Sequence, residues 1–456
     1  MNDKTSFERY VIEAFDREGP GRPVPDAIHD ELITRAGRQR QRPVWLAYVK
    51  EPPMRLTNSL AVGSPTVRVL ATMAATLLLI AAMAVAGIAG KSLLAADGTL
   101  VVDPEGNGDY ATITEAVAAA QDGDTVLLKP GTYPEAVTVT SAITIESDEP
   151  GTAIVEVAVG CTTDTQTFET TCPPGVPMLE GETNGPYGFL LEGADVTIEG
   201  VHFHFGALAQ GVFVDGGTVT LDGLSHSVDD IGGLMVSVDG GARVTITDSD
   251  LGWGWVAPGR TSSVVLEGNT IGVVIAESNN EAEPNIIRNN VIRGQIWSAG
   301  GTVIEGNEFP PIPDRTTDDS FILIQGGSDW VVRDNVIVGA TGTFAALDVQ
   351  GGAGPGTIEG NTFTDNEIAI VASNDSVIRN NTIRDGRIGM RISGGAPQLQ
   401  GNTVEDMEDY GVNVAFSDAL LTDNRLCGST IDLFIGTAAD PVVDDSNDIC
   451  VTDAVE

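Results

Sequence analysis

The stretch Val264-Val265-Leu266-Glu267-Gly268-Asn269-Thr270-Ile271 recurs, with altered letters, as Val303-Ile304-Glu305-Gly306-Asn307-Glu308-Phe309 and Val331-Val332-Arg333-Asp334-Asn335-Val336-Ile337. It returns as Thr357-Ile358-Glu359-Gly360-Asn361-Thr362-Phe363, Val377-Ile378-Arg379-Asn380-Asn381-Thr382-Ile383 and Leu420-Leu421-Thr422-Asp423-Asn424-Arg425-Leu426. The shared asparagine falls at Asn269, Asn290, Asn307, Asn335, Asn361, Asn381, Asn402 and Asn424, in steps of 17 to 28 residues. A repeat of that length marks a solenoid, whose units bury an apolar face only against their neighbours. Each copy alternates apolar and polar residues as a half-buried strand does, turns at a polar pair, and starts a second strand on a β-branched or aromatic residue. Asparagine tolerates left-handed turn conformations, and its amide can bond an identical amide one coil away. The eight asparagines are therefore expected to form a structural ladder at one corner. Asp365, in the polar loop after the following strand, is expected to matter little.

The rest of the chain arranges itself around this array. The formal net charge is −41, and the acid is concentrated after residue 92. Such a field repels nucleic acid and anionic surfaces and favours cations. Residues 1–66 read as a short, partly helical cytoplasmic tail that resembles the juxtamembrane stubs of single-pass bacterial proteins. Val69–Gly90 holds no charge. At ~1.5 Å per residue its length suits a bilayer core, so 67–90 reads as one transmembrane helix. Arg and Lys crowd its N-terminal side, which places the N-terminus in the cytoplasm and the remainder outside at the cell membrane. Residues 91–99 are then a linker and 100–456 the extracellular domain. All four cysteines, Cys161, Cys172, Cys427 and Cys450, follow the apolar segment. Their order favours the bridges Cys161–Cys172 and Cys427–Cys450.

The external domain opens with Gly108-Asp109-Tyr110-Ala111-Thr112-Ile113-Thr114-Glu115-Ala116-Val117, a short helix started by Thr112 and Glu115. It continues into Asp122-Gly123-Asp124-Thr125-Val126-Leu127-Leu128-Lys129-Pro130-Gly131-Thr132-Tyr133, a strand ending in a Pro-Gly turn. This opening resembles the first coil of the right-handed parallel β-helix proteins, the pectate-lyase-like superfamily, and its Gly-Asp-Tyr-Ala-Thr-Ile is similar to that of pectin methylesterases. The resemblance implies an all-β solenoid, a right-handed parallel β-helix of roughly 11–13 coils with an N-terminal capping helix. It implies no catalytic residue. The Asp-Phe-Ile-Phe-Gly and Gly-Arg-Pro-Trp segments of the esterases are absent, as are most blocks of the polygalacturonases. A leucine-rich repeat is the rival fold, but leucine is sparse at the buried positions.

Aligning the strands after each turn gives an outward column of Phe213, Ser237, Trp255, Val274, Trp297, Leu323, Asp348, Ile370, Arg391 and Asn413. Aromatic residues gather toward one end and polar ones toward the other. A sugar ring can stack on an exposed aromatic while polar neighbours fix its hydroxyls. Phe213, Trp255, Trp297, Asp348, Arg391 and Asn413 are thus the candidate ligand-binding residues, and a polysaccharide or another extracellular ligand the candidate partner. A carbohydrate-active enzyme, lyase or hydrolase, and a transmembrane signalling or structural surface protein are the alternatives. Asp348 and Arg391 fall two coils apart, about 9–10 Å, too far for one bond. His202 and His204 share a strand face in Val201-His202-Phe203-His204-Phe205 and are the candidate metal ligands, with His226, Asp229 and Asp230 nearby. No motif requires a cofactor. Acidic loops such as Asp314–Asp319 make Ca2+ the cation the surface could take.

Overall fold

The computed structural model describes residues 98–164, 169–179, 185–229, 233–276, 283–311, 320–340, 345–450 and 452–454. The tail, the segment 67–90, linker residues 91–97, Asp230 and the loop Asp314–Asp319 lie outside the described residues. Among the described residues no helix is long and apolar enough to cross a membrane.

The strands stack in parallel, coil on coil, into three faces. The first face is a sheet of fifteen parallel strands, from Thr99–Val102 to Val442–Val443. The second begins with Gly131–Tyr133, Ala153–Val157, His202–Phe205 and Ser225–Val228. It resumes as strands such as Thr362–Thr364 and Thr382–Arg384. The third runs from Val137–Val139 through Gly185–Glu192, Gln210–Asp215 and Met235–Asp239 to Ile431–Ile435 and Thr452–Ala454. Two long strands, Thr270–Ala276 and Val291–Ser298, pass from the second face to the third across a register shift between Ile271 and Val273. The fifteen strands of the first face exceed the 11–13 coils expected. The asparagine that made the repeat countable is missing after the first six strands of this face, from Thr99–Val102 to Arg243–Thr247.

The corner between the first and second faces carries the asparagines, all of them buried. Each ladder amide from Asn269 to Asn402 donates from Nδ2 to Oδ1 of the next asparagine at 2.9–3.1 Å, and its backbone N–H donates to the same oxygen. Each Nδ2 also donates to a backbone carbonyl near the end of the first-face strand of the previous coil, as Asn361 does to Val332 O at 2.9 Å. The row continues past the eight: Ser249 N–H donates to Asn269 Oδ1, and Asn424 Nδ2 donates to Asn447 Oδ1.

The left-handed conformation at this corner belongs not to the ladder asparagine but to the residue before it. Asp248, Gly268, Asn289, Gly306, Asp334, Gly360, Asn380, Gly401 and Asp423 have φ between +47° and +72°. Only Gly, Asn and Asp adopt that region readily. Glycine alternates with Asp or Asn, and packing gives the reason. A Cβ added at Gly268, Gly306, Gly360 or Gly401 would lie 2.6–2.7 Å from the Oδ1 of the Asp or Asn one coil before. The residue ahead of this pair alternates in phase, so that Glu267, Arg288, Glu305, Arg333, Glu359 and Arg379 stand in consecutive coils. Arg288 bonds Glu267 at 2.6 Å, Arg379 bonds Glu359 at 2.8 Å, and Arg333 pairs with Glu305. Surface pairs are individually worth little, but the alternation keeps like charges off adjacent rungs.

Inside, the inward positions of the three faces form one apolar column from Val102 to Leu433. Phe189 meets Phe203 edge-on at 5.9 Å between centroids, and Phe203 stacks on Phe205 at 6.1 Å. The helix Ile113–Ala119 lies at the N-terminal end of the column and buries Ile113, Ala116 and Val117. Thr112 Oγ1 accepts from Glu115 N–H, and the Glu135 carboxylate accepts from the N–H groups of Ile113 and Thr114. At the other end the Cys427–Cys450 bridge joins neighbouring coils, and Cys161–Cys172 closes a loop beside the second face.

Candidate functional site

The third face presents the outward column that the sequence aligned, with three entries moved. Strand register runs Leu190, Phe213, Ser237 and Ala257 in line, and Ile275, Trp297, Leu323, Asp348, Val371, Arg391, Asn413 and Phe434 in line. Val274 and Ile370, expected outside, are inward and fully buried. Ile275 and Val371 take their places. A slip of one residue carries a side chain through the sheet. Trp255 was placed two residues off. It stays on the outer surface but registers with Val273 rather than in the Phe213 column.

Trp255 and Trp297 are 36% and 37% exposed, and Trp253, on the turn before Trp255, is 56% exposed. Trp255 and Trp297 belong to strands two coils apart; Trp297 is paired on both sides, and Trp255, the first residue of its strand, is paired with Val273 on the following coil. Phe213 is half-buried. Asp348, Arg391 and Asn413 make up the polar end. Asp348 and Arg391 are separated by Val371, and Arg391 stands next to Asn413. Among the described residues Arg391 has no carboxylate partner, unlike Arg288, Arg333, Arg379, Arg387 and Arg425. The Asn413 Oδ1 is buried without a hydrogen-bond partner.

Burial holds the Asp348 carboxyl above its ordinary value of 3.8. The folded chain therefore favours the neutral acid. Stability relative to a neutral isostere is fully kept below pH 3.8, falls as pH rises from there to the raised folded value, and is constant above it. Asp348→Asn should melt at a higher temperature than the parent at pH 7, with the difference gone at pH 3. Equal melting temperatures at both pH values would refute the burial argument.

His202 and His204 do share an outward face of the second sheet. Both ring nitrogens of His202 are engaged, Nδ1 with Ser225 Oγ and Nε2 with Ser227 Oγ, each at 2.9 Å. His204 Nδ1 lies 3.0 Å from Ser227 Oγ, and its Nε2 lies 3.5 Å from Asp229 Oδ1. His226 turns instead to the carbonyl of Asp250. Among the described residues the set of three converging ligand atoms is Cys427, Cys450 and Asp448, and its sulfurs are tied up in the disulfide. The expected metal pair is thus placed among hydroxyls. Ser225 and Ser227 escaped the sequence reading, although Ser225-His226-Ser227 repeats the polar alternation of His202-Phe203-His204 one coil later.

A family model agrees with this architecture. The family model described as right handed beta helix region matches residues 271–431. No match is found among curated proteins. Similar solved structures include the A-module of a mannuronan C-5 epimerase from Azotobacter vinelandii, with TM-score 0.37 and 16% identity over 73% of this chain and 93% of that one. A periplasmic alginate epimerase has TM-score 0.40 and 12% identity over 74% and 84%. The catalytic domain of an α-1,3-glucanase in complex with nigerose has TM-score 0.40 and 12% identity over 79% and 69%. The chain carries a right-handed parallel β-helix.

Proposed function

We propose that this chain is a cell-surface β-helix that binds a polysaccharide along its third face, anchored by segment 67–90 with its N-terminus in the cytoplasm. The observation that carries the reading is the pair Trp255 and Trp297, large aromatics left open on rigid strands. Exposed indole faces on a scaffold with no loop motion to absorb suit the apolar face of a sugar ring. The polar end supports the same reading. Arg391 has no carboxylate partner among the described residues, and the buried Asn413 amide oxygen lacks a donor. The Arg391 guanidinium can donate to sugar hydroxyls or carboxylates, and the Asn413 oxygen can accept only from a donor that reaches it, such as a hydroxyl. A strand ladder repeats every ~4.8 Å, so a linear polymer lying along the axis meets the aromatic and polar ends together.

The test is a glycan array probed with the full chain in detergent micelles, followed by binding of the labelled hits to intact cells that carry the chain. Trp297→Ala is expected to weaken retention about tenfold, equivalent to ~1.4 kcal/mol. Arg391→Ala should weaken it for ligands that reach the polar end. Unchanged retention in both variants, or no glycan retained by the parent, would overturn the proposal. Hits that bind micelles but not intact cells would overturn the orientation.

A further inference from the structure

The second face holds a continuous chain of hydroxyls and imidazoles with a defined direction. Phe203 and Phe205 are buried, so His202 and His204 point out. Strand register sets Ser225 beside His202 and Ser227 beside His204. The contacts then run Ser225 Oγ to His202 Nδ1, His202 Nε2 to Ser227 Oγ, Ser227 Oγ to His204 Nδ1, and His204 Nε2 toward Asp229 Oδ1, at 2.9, 2.9, 3.0 and 3.5 Å. A carboxylate can only accept, so a hydrogen on His204 Nε2, facing it at ion-pair distance, gives the chain its direction. In that tautomer His204 Nδ1 accepts from the Ser227 hydroxyl. With its hydrogen directed to His204, Ser227 Oγ can only accept from His202 Nε2–H. His202 Nδ1 in turn accepts from Ser225.

We propose that Ser227 is the nucleophile of a second site, a hydrolase for short-chain carboxylic esters, with His204 as its general base and Asp229 orienting that base. Nucleophile, base and orienting carboxylate within reach of one another are the arrangement that activates a hydroxyl. In the first step Ser227 Oγ bonds to the acyl carbon, its proton passes to His204 Nδ1, and the carbonyl electron pair moves to oxygen. His202 Nε2–H, released from Oγ, is the nearest donor for that oxyanion. Collapse breaks the ester C–O bond, and the leaving alkoxide takes the proton from His204. Water then repeats the two transfers and frees the acid. Burial, and after it the neighbouring His226 and His204 imidazoles, hold His202 below its ordinary value of 6.5, so it remains a neutral donor. Glu156, in register with His204 on the other side, opens onto a groove of about 170 Å³ lined by Pro134, Val159, Val176 and Tyr187. Glu156 and Asp229 direct the site toward neutral or cationic esters. Ser227, His204 and Asp229 follow from the second face, away from the Trp297–Arg391 column, and hydrolysis there does not depend on glycan binding along that column.

The full chain in detergent micelles should hydrolyse p-nitrophenyl acetate with saturation, and a fluorophosphonate probe should leave an adduct on the Ser227 peptide. Ser227→Ala should remove the adduct and lower kcat/KM by about 10²–10⁴-fold, and His204→Ala should lower it comparably. Thermal melting of each variant separates loss of chemistry from loss of fold. If a variant does not fold, adduct mapping on the parent chain decides. A parent chain that folds yet gives no adduct at Ser227, or hydrolysis undiminished in folded Ser227→Ala, would overturn the proposal.

Discussion

At pH 7 the Asn361→Asp chain is expected to melt below the Asn361→Ala chain, and both well below the parent. The Asn361 amide accepts from the backbone N–H and the Nδ2 of Asn335 at 3.0 and 2.9 Å. It donates to Val332 O at 2.9 Å and to Asn381 Oδ1 at 3.0 Å. Alanine removes all four bonds in a buried corner. Each group left short of a partner is destabilising by about 1–3 kcal/mol, and because several share the loss the whole effect should be roughly 3–5 kcal/mol. Aspartate keeps the acceptor for Asn335 but loses both donations. It also sets a carboxylate oxygen against Val332 O and Asn381 Oδ1, so an unpaired buried charge is added to the deficit. Its pKa in the folded chain must then lie above the usual 3.9 or so. The extra loss should vanish as pH falls through that raised value, where the neutral acid donates once. Hydrogen exchange should localise the damage to the coils around 335, 361 and 381, since solenoid coils lean on their neighbours. Asp365→Ala is the comparison. The sequence offered Asp365 as an indifferent loop residue, but it sits at φ +57°. Alanine there should be destabilising by about 1–2 kcal/mol, a smaller effect that does not depend on burial. Equal melting of the Asn361 and Asp365 variants would mean the row of amides does not hold the corner.

The ladder was legible because a buried amide must repeat at every coil, and repetition is what a single sequence displays best. The left-handed partner before it was misassigned, although the letters carry the answer. Glu267-Gly268-Asn269 is followed by Arg288-Asn289-Asn290, then Glu305-Gly306-Asn307, then Arg333-Asp334-Asn335. That two-coil alternation states both rules, glycine against Asp or Asn and glutamate against arginine, once adjacent rungs are known to touch. The coils without asparagine were undercounted because that corner is held otherwise, as where the Tyr133 hydroxyl reaches Lys129 O at 2.7 Å and Val102 O at 3.2 Å. The outward column failed at 274 and 370, where loops of unequal length hide which of two adjacent residues faces the core. The Ser–His contacts could not be read at all, since 23 residues separate His202 from Ser225 and only register brings them together.

Trp330→Ala should be destabilising by about 3–5 kcal/mol, the range for emptying a large buried aromatic. Trp330 is fully buried beneath the first face, and its Nε1 donates to Gly354 O at 3.1 Å. The ring fills its space because Gly356 on the next coil has no side chain. A Cβ there would lie 2.2 Å from the indole. Gly356 has no positive φ, so contact rather than backbone conformation demands the glycine. Gly356→Ala in the parent should therefore force the ring aside and be destabilising by about 1–3 kcal/mol, as overpacking commonly is. In a Trp330→Ala background the clash partner is gone and the added methyl fills part of the cavity. The double variant should then be no less stable than Trp330→Ala alone. The measurement is denaturant unfolding of the four chains as a double-mutant cycle, with a coupling energy of about 1–3 kcal/mol expected in favour of the pair. Additive losses would show that ring and glycine do not meet, and that the register between the strands Val331–Arg333 and Thr357–Glu359 is not as described.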